Sequence, residues 1–505
     1  MKKLHIRDKI FFDFFDWKSK IATIFVASIA LYVFFVCSRP FGGGKAEYII
    51  WLVVFLTMIF LLCICLFIKM EFDKYVFLFL LLLGGLAIFI QPILNVPDET
   101  AHLARAELVS RGILFIDPNE KVYETIQGIR DLSQNFGKTY TQSNFVNIPI
   151  DYTESIITHV AASNIFIMYI PQSIGVLAAK LFGLDVIWML WLGRLSNLLF
   201  YCLIISNAIK IAPRLKMILF FIAALPISIQ QAASCSPDAM INAVAIMLVA
   251  LSINMYCTKD GLITEKKSLL FLALGLLETI MKVTNICMVG LILLIPVSKF
   301  KDRRRAYIVK AGIICCTIII GAVYYYYTSR FPVSLEQIDY LEGAGVNSAE
   351  QIKYIIFDFR DWIQVFGSAL VYQTSGFINS MTSFGWLNCS FEILTPITIF
   401  MFAKICFQEQ GINLRAYQKN LVFLMILGVY GLTCLALYIS WTGVGETNIA
   451  GIQGRYFIPL LGLCGVLFSG ERGVSGDNER IARTNISVIL CMACFMLNAI
   501  AVFYY

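Results

Sequence analysis

Apolar runs dominate the chain, and most have the roughly 17 to 25 residues that a helix needs to cross a bilayer core. They fall at about 21–37, 48–68, 75–94, 186–208, 217–232, 238–256, 268–280, 284–298, 307–327, 389–406, 421–441, 455–469 and 486–504. This pattern predicts thirteen spans. The seventh and eighth are short and meet around Met281 to Asn285, either as a helical hairpin or as one long span carrying Lys282. A further run, Ile165 to Phe182, contains Pro171 and Gly175. It is expected along the outer surface as a broken amphipathic or re-entrant segment, because a span there would invert every later loop.

Charge fixes the expected orientation. The segments 1–20, 69–74, 209–216, 257–267, 298–310, 404–420 and 470–485 hold 26 of the forty Lys and Arg residues. Short loops facing the cytoplasm carry that excess, so the N-terminus is expected inside and the C-terminus outside. Two long loops, about 95–185 and 328–388, then lie outside. The apolar run after the basic N-terminus reads as an uncleaved first span, since no small-x-small site precedes Ser38. The expected fold is an all-α integral membrane bundle of about thirteen transmembrane helices, with two long extracytoplasmic loops carrying amphipathic helices. Its units are a three-span segment (1–94), a first outer loop (95–185), a transmembrane core (186–327), a second outer loop (328–388) and C-terminal helices (389–505).

With 59% hydrophobic and 14% charged residues in 505, an ordinary soluble enzyme is excluded. The formal charge of +7 forms no basic stripe with interleaved aromatics, which argues against nucleic acid as a partner. Fifteen cysteines sit mostly in apolar runs without CxxC spacing and read as small core residues.

Polar chemistry collects at the expected outer end. After the third span comes Asn95-Val96-Pro97-Asp98-Glu99-Thr100-Ala101-His102, with Arg105 three residues on. Spacings of four and three put Asp98, His102 and Arg105 on one helix face. Adjacent carboxylates there either complement a helix dipole or supply a general base, with Asp98 ahead of Glu99. His102 and Arg105 either contact ligand or neutralise the pair. Asp238 either caps the helix it opens or meets a hydroxylated ligand. Lys282 either pairs with Glu278 or binds phosphate. Glu446, Arg455 and Tyr456 stand at the mouth of the last two-span hairpin; Arg455 suits phosphate oxygens, with interfacial snorkelling as the competing reading. Arg194, inside a span, is expected to pair structurally. Trp362, Phe366, Tyr372, Phe377, Phe384 and Trp386 are either interfacial anchors or platforms for a sugar ring. No metal is expected at Asp98 and Glu99, for want of a third ligand, and no cofactor.

Taken in order, Val96-Pro97-Asp98-Glu99-x-x-His102, Tyr169-Ile170-Pro171-Gln172-Ser173-Ile174-Gly175, Leu192-Gly193-Arg194-Leu195-Ser196-Asn197, Ser234-Cys235-Ser236-Pro237-Asp238, Phe384-Gly385-Trp386-Leu387 and Gln453-Gly454-Arg455-Tyr456-Phe457-Ile458-Pro459 resemble a family. It comprises bacterial multi-pass membrane proteins, mainly of unknown function, related to the GT-C class of integral-membrane glycosyltransferases. The chain departs from it where Val96-Pro97 replaces two prolines and Lys282-Val283 replaces Lys-Pro. The resemblance implies a GT-C-like fold and a sugar donor carried on polyprenyl phosphate. It also implies an acidic catalytic residue in the first outer loop, here Asp98 with Glu99 behind it. His102, Arg105, Asp238, Lys282, Glu446, Arg455 and Tyr456 would bind substrate. The expected setting is the bacterial plasma membrane, with membrane lipid, the lipid-linked donor and a cell-surface glycan acceptor as partners. A polymerase or ligase of surface polysaccharide and a flippase of lipid-linked glycans are the alternatives.

Overall fold

The computed structural model describes residues 16–38, 45–68, 70–117, 123–142, 148–157, 160–331, 341–385, 389–390, 392–470 and 478–504. In chain order its helices are α1 (Trp17–Ser38), α2 (Lys45–Phe67), α3 (Phe72–Ile90), α4 (Glu99–Ser110), α5 (Gln127–Ser133), α6 (Ile170–Leu181), α7 (Val186–Ile211), α8 (Lys216–Ala223), α9 (Pro226–Ala232), α10 (Asp238–Cys257), α11 (Glu265–Met281), α12 (Leu291–Leu294) and α13 (Arg303–Thr328). They continue as α14 (Ser348–Phe357), α15 (Phe359–Ser368), α16 (Thr374–Ser380), α17 (Leu394–Gln408), α18 (Ala416–Ser440), α19 (Ile458–Phe468) and α20 (Asn478–Tyr504). The expectation of a purely helical chain needs a small amendment. Strand β1 (Tyr123–Ile126) pairs antiparallel with β2 (Glu154–Ile157), and β3 (Ser383–Phe384) with β4 (Cys389–Ser390), both in the long loops.

Among the described residues, eight helices are long and apolar enough to cross a membrane: α1, α2, α3, α7, α10, α13, α18 and the Arg483–Tyr504 part of α20. The other five expected runs are helical but shorter or broken. Run 217–232 is α8 and α9, interrupted at Leu225-Pro226, because proline lacks the N–H that would continue the ladder. Run 284–298 is a 3₁₀ segment, Val283–Gly290, followed by the single turn of α12. It packs beside α11, so Met281 to Asn285 forms the tip of a hairpin rather than the middle of one span.

The run Ile165 to Phe182 is a short apolar helical segment, below the length of the eight candidate spans. A 3₁₀ turn, Phe166–Tyr169, leads into α6. A short connection then turns into α7, and the two helices pack side by side. Pro171 sits in the first turn of α6, where its missing donor costs nothing. Gly175 does not break the helix: a Cβ there would stand 2.0 Å from the Leu192 carbonyl oxygen of α7. The glycine exists for that close approach.

Helix α7 is the hub, packed by α3, α6 and α10. The connections rich in Lys and Arg meet at one end of the bundle. There Arg214 donates to Gly411 O at 2.6 Å, the Glu409 carboxylate accepts from the backbone N–H of Met217 and Ile218 at 2.9 Å each, and Ile263 N–H donates to Lys299 O at 3.0 Å. Asp98, Asp238 and Lys282 lie at the opposite end, at the site-end termini of α4, α10 and α11. The basic N-terminal residues before Asp16 and the loop 471–477 lie outside the described residues.

Replacing Gly175 with Ala should drive α6 off α7. Overpacking of this kind costs about 1–3 kcal/mol, read as a lower melting temperature of the purified protein in detergent. Unchanged melting would refute the close crossing.

Candidate functional site

The turn between α3 and α4 builds the site. Leu94 and Asp98 both adopt left-handed backbone, with φ of 54° and 63°. For Asp98 this occurs at the N-cap of α4, where an aspartate would ordinarily accept from the first helical N–H groups. Its side chain makes no such bond. The strained turn instead aims the carboxylate out of the helix, where Oδ2 accepts from Arg455 Nη2 at 2.8 Å. Backbone strain held in this way is typical of functional positions.

Glu99, the next residue, points into the protein. Its two oxygens accept from Arg194 Nε at 2.8 Å and Nη2 at 2.6 Å, and Oε1 also accepts from Cys235 N–H at 3.0 Å. Both side chains are buried, and Arg194 spends its remaining donors on the carbonyls of Ile88, Gln91 and Pro92. Arg194 therefore pairs structurally, as its position implied. Glu99 is its partner in that pair: a carboxylate whose contacts among the described residues are all internal is an anchor, not the second catalytic acid expected from the sequence.

Arg455 occupies the centre. Nη1 lies 3.3 Å from Asp238 Oδ2 and 3.4 Å from Pro97 O, and Nη2 lies 3.4 Å from Tyr456 Oη as well as on Asp98. The Arg455 side chain is 4% exposed, Asp238 13% and Asp98 41%, so Asp98 is the carboxylate a ligand can reach. Snorkelling does not explain a guanidinium gripped by two carboxylates. Asp238 opens α10 and is turned toward Arg455. Lys282 caps α11 with its ammonium 3.8 Å above the centre of the Tyr456 ring. The expected Lys282–Glu278 pair is absent. Glu278 accepts instead from Asn285 Nδ2 at 2.6 Å, and no carboxylate among the described residues lies within ion-pair distance of Lys282.

His102 belongs to the cluster, with Nδ1 2.9 Å from Tyr169 Oη. Arg105 does not. It donates to Ile113 O at 3.1 Å and Leu114 O at 2.7 Å, closing the chain reversal after α4 behind the Tyr169 ring. Glu446 does not either. It is exposed in a turn pinned to the second long loop, where Val444 N–H donates to Gly345 O at 3.2 Å and Gly445 N–H to Gln351 Oε1 at 3.0 Å. The structure does not bring either of them, expected as substrate-binding residues, to the Asp98–Arg455 cluster. Of the loop aromatics, Trp362 and Phe366 pack on Tyr438 and Tyr430 of α18, and Phe384 is buried on Phe495. Tyr372 is exposed; the Phe377 side chain and Trp386 lie outside the described residues. No sugar platform forms over the cluster from Trp362, Phe366 or Phe384. Tyr169 and Asn164 were missed as site residues. Tyr169 sat inside a matching motif, but nothing in the sequence places it against His102.

Burial pushes the Asp98 carboxyl up, but Arg455 and His102 outweigh it and hold the group below its ordinary value of 3.8. Burial, with Arg455 adding and Asp98 and Asp238 opposing, pushes His102 down to about 4. Near neutral pH the site is an ionised carboxylate beside a neutral imidazole. Among the described residues no group of three or more His, Cys, Asp or Glu is arranged to hold a metal ion. Arg455 fills the space between the two carboxylates.

A helical membrane bundle with a cluster of carboxylates and cations at one end is the class that fold and site define. The chain belongs to the family described as "Predicted membrane protein (DUF2142)", which it matches over residues 80–464. No curated protein and no solved structure matches it.

Glu99→Gln or Arg194→Leu should each destabilise the protein by about 3–5 kcal/mol, because each leaves a buried charge unpaired. Asp98→Gly relieves the left-handed turn and should leave the melting temperature unchanged or raised. The reverse order of stabilities would contradict the division of roles. A second outcome concerns pH. A folded-state value of about 4 for His102 against 6.5 unfolded gives stability that is complete above 6.5 and lost as pH falls toward 4. Asp98 adds a further loss below 3.8. Between pH 7 and 4.5 the wild type should therefore lose melting temperature relative to His102→Gln, and parallel curves for the two would contradict the burial of a neutral ring.

Proposed function

We propose that the protein is a membrane glycosyltransferase that moves a sugar from a polyprenyl-phosphate donor to a cell-surface glycan on the extracytoplasmic face. The observation that carries this reading is the pairing of a reachable carboxylate, Asp98, with a cation, Lys282, that has no carboxylate within ion-pair distance among the described residues. The first can take a proton and the second can take a phosphate. The basic loops meet at the opposite end of the bundle, and by the positive-inside rule this supports an outward-facing position for the pair. Nucleotide sugars are cytosolic, so a donor available on that face is lipid-linked.

A shallow, mainly apolar crevice between the helices offers a lipid tail a surface to lie against. Phe221, Leu225, Pro226, Leu394, Met401 and Phe495 line it together with Thr398, at the break between α8 and α9. Helix α9 runs from it toward Asp238.

In the reaction, the acceptor oxygen forms a bond to the anomeric carbon as the bond from that carbon to the phosphate oxygen breaks. The hydroxyl proton passes to Asp98 and polyprenyl phosphate leaves. Direct displacement inverts the anomeric centre. A carboxylate of low proton affinity is a weak base, so its proton transfer comes late, once the forming bond has acidified the hydroxyl. It also gains basicity when Arg455 turns from Asp98 to the phosphate. Fixed donors on developing charge are worth about 3 kcal/mol each, and general-base help about 10² to 10⁴ in rate.

Radiolabelled hexose transfer from polyprenyl-phosphate hexose to wall-polysaccharide fragments, measured in proteoliposomes, tests this. Asp98→Asn should lower kcat about 100-fold or more, and Lys282→Ala should raise the donor KM. Full activity in Asp98→Asn would remove that residue from its role.

A further inference from the structure

His102 is one of three histidines; His5 and His159 lie outside the described residues. Its ring is buried, at 7% exposure, and its hydrogen bonding is lopsided. Nδ1 is 2.9 Å from Tyr169 Oη, and that same oxygen accepts from Asn164 Nδ2 at 2.9 Å. Among the described residues the phenol proton has no acceptor other than Nδ1, so donation from Tyr169 to the ring is the arrangement that satisfies both groups. A neutral imidazole that accepts at Nδ1 carries its own proton at Nε2. Asn164 and Tyr169 therefore fix the tautomer from behind.

Nε2 has no hydrogen-bond partner among the described residues. The ring is buried but Nε2 is not among the enclosed unpartnered atoms, so it is the edge of the ring that a ligand can reach, and a contact that merely tied α4 to the turn before α6 would need only Nδ1. The charges acting on His102 are Asp98 first, then Arg455 and Asp238, so the ring stands in the same cluster as the reachable carboxylate. Asp98 is the N-cap of α4, four residues before His102, and its carbonyl oxygen accepts from His102 N–H at 3.0 Å.

We propose that His102 is a hydrogen-bond donor of fixed tautomer, aligned by Tyr169 and Asn164, whose Nε2–H holds the hydroxyl oxygen of the incoming acceptor against Asp98. This rests on the transferase reading of the site. The hydroxyl oxygen accepts from Nε2 with one lone pair, attacks with the other, and gives its proton to Asp98. His102 exchanges no proton. Tyr169 and Asn164 are positioning residues that act through it.

The test uses the full chain in proteoliposomes, with His5→Gln and His159→Gln leaving one ¹⁵N-labelled histidine for solid-state NMR. At pH 7 the ring should be neutral and protonated at Nε2. Tyr169→Phe should convert this into mixed tautomers. A ring protonated at Nδ1, or an imidazolium, overturns the proposal. Soluble wall-polysaccharide fragments should shift the Nε2 resonance, and no shift at saturating concentration overturns the acceptor contact. In the transfer assay with polyprenyl-phosphate hexose, His102→Gln keeps an N–H near the Nε2 position and His102→Asn does not. The acceptor KM should be about threefold to tenfold higher for His102→Asn than for His102→Gln, the size expected of one hydrogen bond, with the donor KM alike. Equal acceptor KM values overturn it. Wild-type protein that transfers no hexose, yet shows the Nε2 tautomer and its shift with the glycan, sinks the transferase reading while leaving His102 as a donor to a bound hydroxyl.

Discussion

The buried pair of Glu99 and Arg194 is the constraint on which the site depends. It joins the first turn of α4 to the middle of α7, and through Cys235 N–H it also takes hold of the segment leading into α10. Arg194 further grips three carbonyls at the end of α3 and the turn after it. Four elements are thus fixed by one ion pair whose donors and acceptors are satisfied on nearly every side. Buried charges are stable only under such conditions, and removing either partner strands the other. With Glu99 held inward, Asp98 has nowhere to go but outward.

That arrangement explains why two adjacent acidic residues do unlike work. Consecutive residues at a helix start diverge by about 100°, since 3.6 residues make a turn, and the left-handed backbone of Asp98 widens the difference. One carboxylate is enclosed and built into the scaffold, while the other faces Arg455 and the open side of the cluster. Arg455 holds Asp98 and Asp238 together, and Lys282 over Tyr456 supplies positive charge with no carboxylate in ion-pair contact among the described residues. The result has the chemical means to bind an anion next to a proton acceptor.

Much of this was readable in the order of residues. Spans such as 21–37, 238–256 and 421–441 were clear because their apolar character is continuous and no competing pattern interrupts it. Runs 217–232 and 284–298 were legible as membrane-buried but not as broken helix and 3₁₀ turns, because hydropathy does not report how a backbone is hydrogen-bonded. Convergence of Asp98, Asp238, Lys282 and Arg455 was anticipated from their shared end of the bundle. The roles of Glu99, Arg105 and Glu446 were not, since each depends on partners distant in sequence or on a loop conformation. Spacing of four suggested a Glu278–Lys282 pair, and a nearby amide, Asn285, took the carboxylate instead. Tyr169 was hidden for the same reason: the 3₁₀ turn that brings it to His102 has no signature in composition.

The most direct measurement is a structure of the protein with a short-chain polyprenyl phosphate bound. The account predicts phosphate oxygens within about 3 Å of Lys282 Nζ, as in a charge-assisted hydrogen bond, with the chain running toward Pro226 and the Glu99–Arg194 pair unchanged. Phosphate bound among the basic loops at the far end, or Glu99 released from Arg194 to meet the ligand, would contradict it.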